Sequence, residues 1–311
     1  MRILITGVAG FVGSHLGEAL LRTPNKIIGI DNFSDYYSRS IKKANLANLL
    51  KNRDFTFVED DLAFVDLSKL GEIDVVFHEA AQPGVRASWG TSFEKYIKDN
   101  IFVTQRLLEF FKDRALRKFI FASSSSVYGD SEVYPTKEEI PLHPISPYGV
   151  SKLAAENLCY LYYRNYQIPT TMLRYFTVYG PRQRPDMLFN RAISAAIDRT
   201  NLTIYGDGNQ LRDFTYIEDI VRVNLACIEN DVAGQIMNIG GGSVTSINDA
   251  IKIISNAISI PIVVTRTQKQ RGDAWKTSAD FSKARKLIGY SPTVKLSEGL
   301  SKQIAWQSNR V

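Results

Sequence analysis

The chain is 311 residues long, 44% hydrophobic and 23% charged, with a net charge of +6. That balance excludes a disordered tail and fits one large domain or two closely joined ones. With only Cys159 and Cys227, and three histidines (His15, His78 and His143), a disulfide scaffold and a His-rich metal site are also excluded.

The opening MRILITGVAG reads as a strand, not a leader, and no apolar run approaches the roughly 18 residues of a membrane span. A cytoplasmic, soluble protein with both thiols reduced is expected. Lys and Arg are spread along the chain, the densest cluster being Lys42-Lys43. This argues against a nucleic-acid or membrane partner and for a solvated basic surface; the functional alternative is a mild positive field that helps gather a polyanionic small ligand.

In chain order, apolar strand-like runs lie at 2–6, 26–30, 55–58, 73–77, 117–123 and 170–174. Helical periodicity covers 12–21, 93–114 and 148–166. Strands that are apolar throughout and alternate with helices predict an α/β fold, a doubly wound parallel sheet buried on both faces. After residue 175 the order is less regular: Pro181, Pro185, Gly206 and Gly208 cut the chain into short pieces. Strands are expected at 202–205 and 236–239, and helices at 188–199, 219–229 and 246–258. Residues 176–311 read as a smaller α/β region on the sheet's edge, with some chain crossing back into it. With no linker between them, 1–175 and 176–311 should enclose one site.

The first turn carries Gly7, Gly10 and Gly13 between a strand and a helix. Gly7 permits the tight turn, Gly10 the approach of a pyrophosphate, and Gly13 close packing of helix on strand. The helix N-terminus offers N–H groups and a positive dipole end to phosphates. Asp31 closes the second strand about 20 residues on, where a carboxylate binds a ribose 2′-hydroxyl and repels a 2′-phosphate. These features together predict NAD, in preference to NADP.

Tyr148 and Lys152 are four apart within a helical segment, so they share a face. A lysine there would stabilise the phenolate and lower the tyrosine pKa toward neutrality, making Tyr148 a general acid/base. The serine run 123–126 follows a strand at the carboxyl end of the sheet, where such folds bind ligands.

With these residues in place, the chain resembles the extended short-chain dehydrogenase/reductase family, nucleotide-sugar epimerase branch. The resemblance rests on T-G-x-x-G-F-x-G (6–13), Asp31-Asn32, Asp61-Leu62, His78-Glu79-Ala80-Ala81, S-S-V-Y-G (125–129), Y-x-x-x-K (148–152), R-Y-F-x-x-Y-G-P (174–181), Arg212-Asp213-Phe214 and Gly272-Asp273. It implies a Rossmann-type NAD-binding domain over 1–175 that carries the catalytic Tyr and Lys, with UDP-sugar binding mainly over 176–311. Tyr148 and Lys152 match the acid/base and its partner, which also bonds the nicotinamide ribose; Ser124 matches the hydroxyl at the reacting sugar oxygen. Cofactor contacts are implied at Gly7, Gly10, Phe11, Val12, Gly13, Asp31, Asn32, Asp61, Leu62, Ala80, Ala81 and Tyr175. On the substrate side, Arg212 matches the diphosphate arginine, Tyr205 the ring near uracil and Asp273 the uridine-ribose contact, with Arg86 and Met187 alongside. Many relatives carry an Arg three positions before that Asp. Here Gln270 stands there and Arg271 is the neighbouring candidate. The family also implies a homodimer through the helices near 93–114 and 148–166.

The resemblance further implies oxidation at sugar C4 to a 4-keto intermediate. Dehydratases of the family carry Asp-Glu in the serine loop, and uronate decarboxylases a Glu just before V-Y-G. Ser125 and Ser126 occupy those places. Without an acid there, return of the hydride to the other face, 4-epimerisation, is the expected outcome. Thr177 and the segment 181–187 resemble the UDP-glucuronate 4-epimerase subgroup, and Ser125, Ser126 and Arg184 suit a carboxylate. The alternative sugar pair is UDP-glucose and UDP-galactose. A dehydrogenase that releases NADH, or an inactive cofactor-binding regulator, would be further readings of the same fold.

Overall fold

A computed structural model describes residues 1–309. The first half alternates as expected: β1 (Arg2–Thr6), α1 (Phe11–Leu20), β2 (Lys26–Asp31), α2 (Arg39–Leu46), β3 (Phe55–Glu59), β4 (Val75–His78), α3 (Phe93–Tyr96), α4 (Val103–Phe111), β5 (Lys118–Ser124), α5 (Pro147–Tyr166) and β6 (Thr170–Tyr175). The second half adds β7 (Thr177–Tyr179), α6 (Leu188–Ile197), β8 (Leu202–Tyr205), β9 (Leu211–Tyr216), α7 (Ile217–Glu229), β10 (Ile236–Ile239), β11 (Val244–Ser246), α8 (Ile247–Ile258), β12 (Val264–Thr267), α9 (Ser282–Ile288) and α10 (Leu296–Ser308).

Seven strands form one parallel sheet in the order β10-β6-β5-β4-β1-β2-β3. The chain reverses direction across the sheet between β1 and β4, the crevice at which a doubly wound sheet binds ligands. One apolar layer packs β1, α1, α6, α7 and the C-terminal elements together. The other packs the opposite face against α4 and α5. β10 brings the second half of the chain back onto the sheet beside β6. The remaining strands form a three-stranded sheet, β11-β9-β7, and a parallel pair, β12-β8.

Two differences from the sequence reading have physical causes. The helix expected over 93–114 is interrupted by a π-helical stretch, Ile97–Phe102. Within it Asn100 is buried, accepts the Gln82 N–H at 2.7 Å and donates to Ser151 of α5 at 2.8 Å. The widened turn thus belongs to a tertiary contact that local periodicity does not encode. β7, β9, β11, β12, α2, α9 and α10 were not read from the sequence. β7, β11 and β12 have only three or four residues, β9 mixes polar with apolar positions, α2 and α9 are only eight and seven residues long, and α10 is polar along most of its length.

Candidate active site

A cavity of about 890 Å³ opens at the carboxyl ends of β1, β2, β4, β5 and β6 and runs toward β8 and β9. Every site residue read from the sequence lines it except Arg271, which is exposed. Gln270, beside it, is tied to the Gln268 carbonyl at 3.2 Å.

At the cofactor end, Gly7 turns with φ +68°, and Gly10 caps α1 with no side chain over the helix end. A Cβ on Gly13 would lie 2.4 Å from the Gly7 carbonyl oxygen, and one on Gly7 2.8 Å from Ala80 backbone atoms. Strand, turn and helix approach this closely only because those side chains are absent, which leaves a cradle for a pyrophosphate at the helix N-terminus. Asp31 accepts N–H groups from Ala9 (3.1 Å) and Phe33 (2.8 Å), and burial raises its pKa. Asp61 accepts from Ala63 N–H (2.9 Å) and the Lys98 ammonium (2.8 Å). Burial pushes the Asp61 pKa up, but these donors and Asn32 outweigh it and hold it down. With Leu62, Ala80 and Ala81 on the same wall, the residues fit NAD.

The residues read from the sequence as the proton-transfer group sit between β5 and α5. Ser146 caps α5 by accepting the Gly149 N–H at 3.1 Å, and Pro147 takes the first helical position, as helix starts prefer. Tyr148 then falls in the first turn and Lys152 one turn later. A Cβ on Gly149 would meet the Ser126 carbonyl oxygen at 2.5 Å, so the glycine lets α5 press against the serine loop. Ser124 accepts the Ser126 N–H at 3.1 Å and is a hydrogen-bond partner of Tyr148.

The electrostatics differ from the sequence reading in one respect. The Tyr148 pKa is raised, because burial outweighs the Ser124 hydrogen bond and the positive charge of Arg184. Lys152 does not depress it as expected: its ammonium lies 4.4 Å over the Phe121 ring. Burial pulls the Lys152 pKa down to about 8, opposed chiefly by Glu79.

At the far end, Arg86 ion-pairs Asp273 through two hydrogen bonds (2.7 and 3.1 Å) and covers the Tyr205 ring at 4.1 Å. Arg212 donates to the Leu211 carbonyl at 2.8 Å. Ser125, Ser126, Thr177 and Met187 line the stretch between. Arg184 is held by Asp186 through two 3.0 Å hydrogen bonds, and Tyr36 donates to the same carboxylate at 3.2 Å. Sequence reasoning passed over Tyr36, Asp186 and, as a site residue, Glu79. Tyr36 lies in a loop with no periodic signal, and Glu79 was visible only as one letter of a motif.

The NAD dependent epimerase/dehydratase family matches residues 3–240. The chain belongs to this family. Among its relatives, an uncharacterized UDP-glucose epimerase, YtcB, of Bacillus subtilis is 45% identical over 99% of this chain and 98% of its own. A UDP-glucuronate 4-epimerase of Thermodesulfobacterium geofontis is 38% identical over 99% of this chain and 96% of its own. The crystal structure of UDP-glucuronic acid 4-epimerase from Bacillus cereus, in complex with UDP-glucuronic acid and NAD, superposes with a TM-score of 0.98. It is 45% identical, and the match covers 100% of both chains. In this epimerase/dehydratase chain the seven-stranded parallel sheet, the glycine-rich turn and the cavity above them are therefore the NAD-dependent scaffold of the family.

Proposed function

We propose that the chain is an NAD-dependent UDP-sugar 4-epimerase that converts UDP-glucuronate to UDP-galacturonate. The observation that carries this reading is a single cavity joining the glycine-rich cradle, the Ser124–Tyr148–Lys152 group and a basic far end, with Ser125 and Ser126 in the loop between. Bound in the cradle, NAD would supply a reversible hydride acceptor for the sugar. Tyr148 takes the C4 hydroxyl proton and returns it after the 4-keto sugar has presented its other face. Ser124 holds the reacting oxygen, and Lys152, one turn along α5, is assigned to the nicotinamide ribose. Ser125 and Ser126 hold no acid that would drive elimination of water from the ketone.

Arg212, Arg86, Tyr205 and Asp273 are assigned to the UDP moiety, and Ser125, Ser126, Thr177, Met187 and Arg184 to the sugar and its carboxylate. Asp31 and Asn32 are assigned to the adenosine ribose, and Asp61 and Leu62 to the adenine. By this assignment residues 1–175 hold mainly the cofactor and 176–311 mainly the substrate. One observation favours UDP-glucose as the alternative substrate: the Arg184 charge is already matched by Asp186.

We place the enzyme in the cytoplasm as a homodimer. Both cysteines are free and buried, and among the described residues no helix is long and apolar enough to cross a membrane. Ile97, Phe102, Val150 and Leu161, on the segments 93–111 and 147–166, are exposed apolar side chains, a pattern that suits a paired interface. Incubation of the purified protein with NAD and each UDP-sugar, with products separated chromatographically, tests the activity. Faster turnover of UDP-glucose than of UDP-glucuronate overturns the assigned substrate.

A further inference from the structure

We infer that Glu18 and His15 of α1 are positioning residues that hold the turn carrying Arg184, and so set how the sugar's carboxylate is recognised. The inference rests on the reading of Arg184 as the carboxylate contact. It follows from where the segment 180–186 is anchored, which is on the cofactor half of the chain.

The segment joins β7 to α6 and sends successive side chains in different directions. His15 Nε2 meets the Pro181 carbonyl at 2.8 Å. A carbonyl only accepts, so Nε2 carries the hydrogen, and burial, which pushes the ring's pKa down to about 4, keeps it neutral. One turn along α1, Glu18 ion-pairs Arg182 at 2.6 Å, with side-chain exposures of 25% and 14%. Asn48 donates to the same carboxylate oxygen at 3.2 Å. Gln183 is buried and turns instead toward α10. It donates to the Val178 carbonyl at 3.1 Å, and its own oxygen accepts from the Asn190 N–H and from Gln303, both at 2.9 Å. Arg184 then enters the cavity wall. Beyond it, Tyr36 in the loop after β2 donates to Asp186 at 3.2 Å. Both flanks of Arg184 are thus tied to elements that frame the cofactor cradle.

The turn is not one the chain adopts unaided. Arg182 has φ +66°, in the left-handed region, which a residue with a Cβ keeps only where its surroundings over-determine it. Glu18, His15 and Gln183 supply the contacts that do so. Arg182 stands two residues before Arg184. Relaxation of its φ to negative values would swing the following peptide and carry the Arg184 guanidinium from its place in the cavity wall. α1 therefore has two tasks in this fold. Its N-terminus faces the pyrophosphate cradle, and the stretch from His15 to Glu18 holds the turn that presents the sugar-binding arginine. Arg86, Arg212 and Asp273 hold UDP by the same reading and lie at the far end of the cavity, so UDP affinity serves as an internal control.

Titration calorimetry on the NAD-loaded protein tests this by comparing UDP-glucuronate with UDP. Both 4-epimers carry the carboxylate, so turnover during the titration does not alter what is read. The readout is the ratio of the two affinities, and Arg184→Ala sets its value when the contact is lost. Glu18→Ala should lower the ratio by about fivefold, as coupled neighbours do, with UDP affinity within about twofold of the wild type. Glu18→Ala with Arg182→Gly should recover most of that loss, because glycine takes a positive φ without support. Glu18→Ala with Arg182→Ala removes the stranded guanidinium but not the strain, and its ratio should stay low. An unchanged ratio in folded Glu18→Ala, or no difference between the two double variants, overturns the inference. If Glu18→Ala does not fold, His15→Leu decides: loss of the Pro181 tie should also lower the ratio, and an unchanged ratio overturns the inference. A ratio unchanged in Arg184→Ala is a different failure, since it removes the reading of Arg184 and with it the inference.

Discussion

Tyr148 works against its surroundings. Burial raises its pKa, opposed by a hydrogen bond with Ser124 and the charge of Arg184. Tyr148→Phe keeps the ring's edge-to-face contact with Tyr96, whose centroid lies 6.2 Å away, but removes the proton acceptor. We expect turnover to fall by about 10²–10⁴ with UDP binding nearly unchanged. Retention of more than half the rate would remove Tyr148 from its role. His78 yields a prediction about stability. Burial pushes its folded pKa down to about 3 from an ordinary 6.5, so the unfolded chain takes up a proton that the folded chain refuses. The contribution is complete above pH 6.5 and is lost as pH falls toward 3, by roughly 1.4 kcal/mol per pH unit. Urea unfolding of the wild type and of His78→Gln over pH 5 to 7.5 checks this: the variant should show the flatter dependence, and parallel curves would refute it.

At the scale of elements, strand–turn–helix units were legible wherever burial on both faces made the strand apolar throughout. RILIT, KIIGI and RKFIFAS match β1, β2 and β5 to within a residue or two. β9 was not legible, because LRDFTY mixes a cavity-facing Arg212 with Asp213, a buried carboxylate raised to about 6 that accepts N–H groups from Gly241 (2.7 Å) and Ala279 (2.9 Å). Partners so distant in sequence leave no local pattern. The glycine turn shows the opposite case, in which spacing alone specified geometry. Gly13→Ala places a methyl 2.4 Å from a backbone oxygen, so α1 must lift from β1. We expect NAD affinity to fall at least tenfold, roughly 1.4 kcal/mol, by calorimetry; unchanged affinity would refute the packing role. α5 is fixed to the sheet by the Glu156–Arg174 pair, both ends 2% exposed or less. Glu156→Gln strands the guanidinium and should cost about 3–5 kcal/mol in urea unfolding. Glu156→Leu combined with Arg174→Met should recover much of that loss, whereas equal losses would show that the pair itself, not the stranded charge, carries the stability.

Across the whole molecule, Arg86, Arg184 and Arg212 come together at the cavity from segments up to 126 residues apart in sequence. Two of the three are paired in the structure, Arg86 with Asp273 and Arg184 with Asp186. A polyanionic substrate entering this cavity exchanges one carboxylate partner for another, so each exchange costs little if the geometry is matched. This bears on which sugar is used. A 4-keto-uronate is a β-keto acid, and it loses carbon dioxide when its carboxylate bond aligns with the carbonyl π system. Ser125, Ser126 and Arg184 are the groups available to hold the carboxylate out of that alignment. Arg184→Ala removes the one charged contact and leaves Asp186 unpaired beside the substrate, so repulsion adds to the loss. We expect activity on UDP-glucuronate to fall at least tenfold, about 1.4 kcal/mol of transition-state stabilisation, with a larger share of decarboxylated pentose product. Turnover of UDP-glucose, which has no carboxylate, should change far less. Asp186→Asn separates the two effects: it frees Arg184 without adding repulsion and should leave UDP-glucuronate turnover at or above the wild-type level. Equal losses on both sugars in Arg184→Ala would mean that the arginine serves the nucleotide or the fold, and the assigned carboxylate contact would fall.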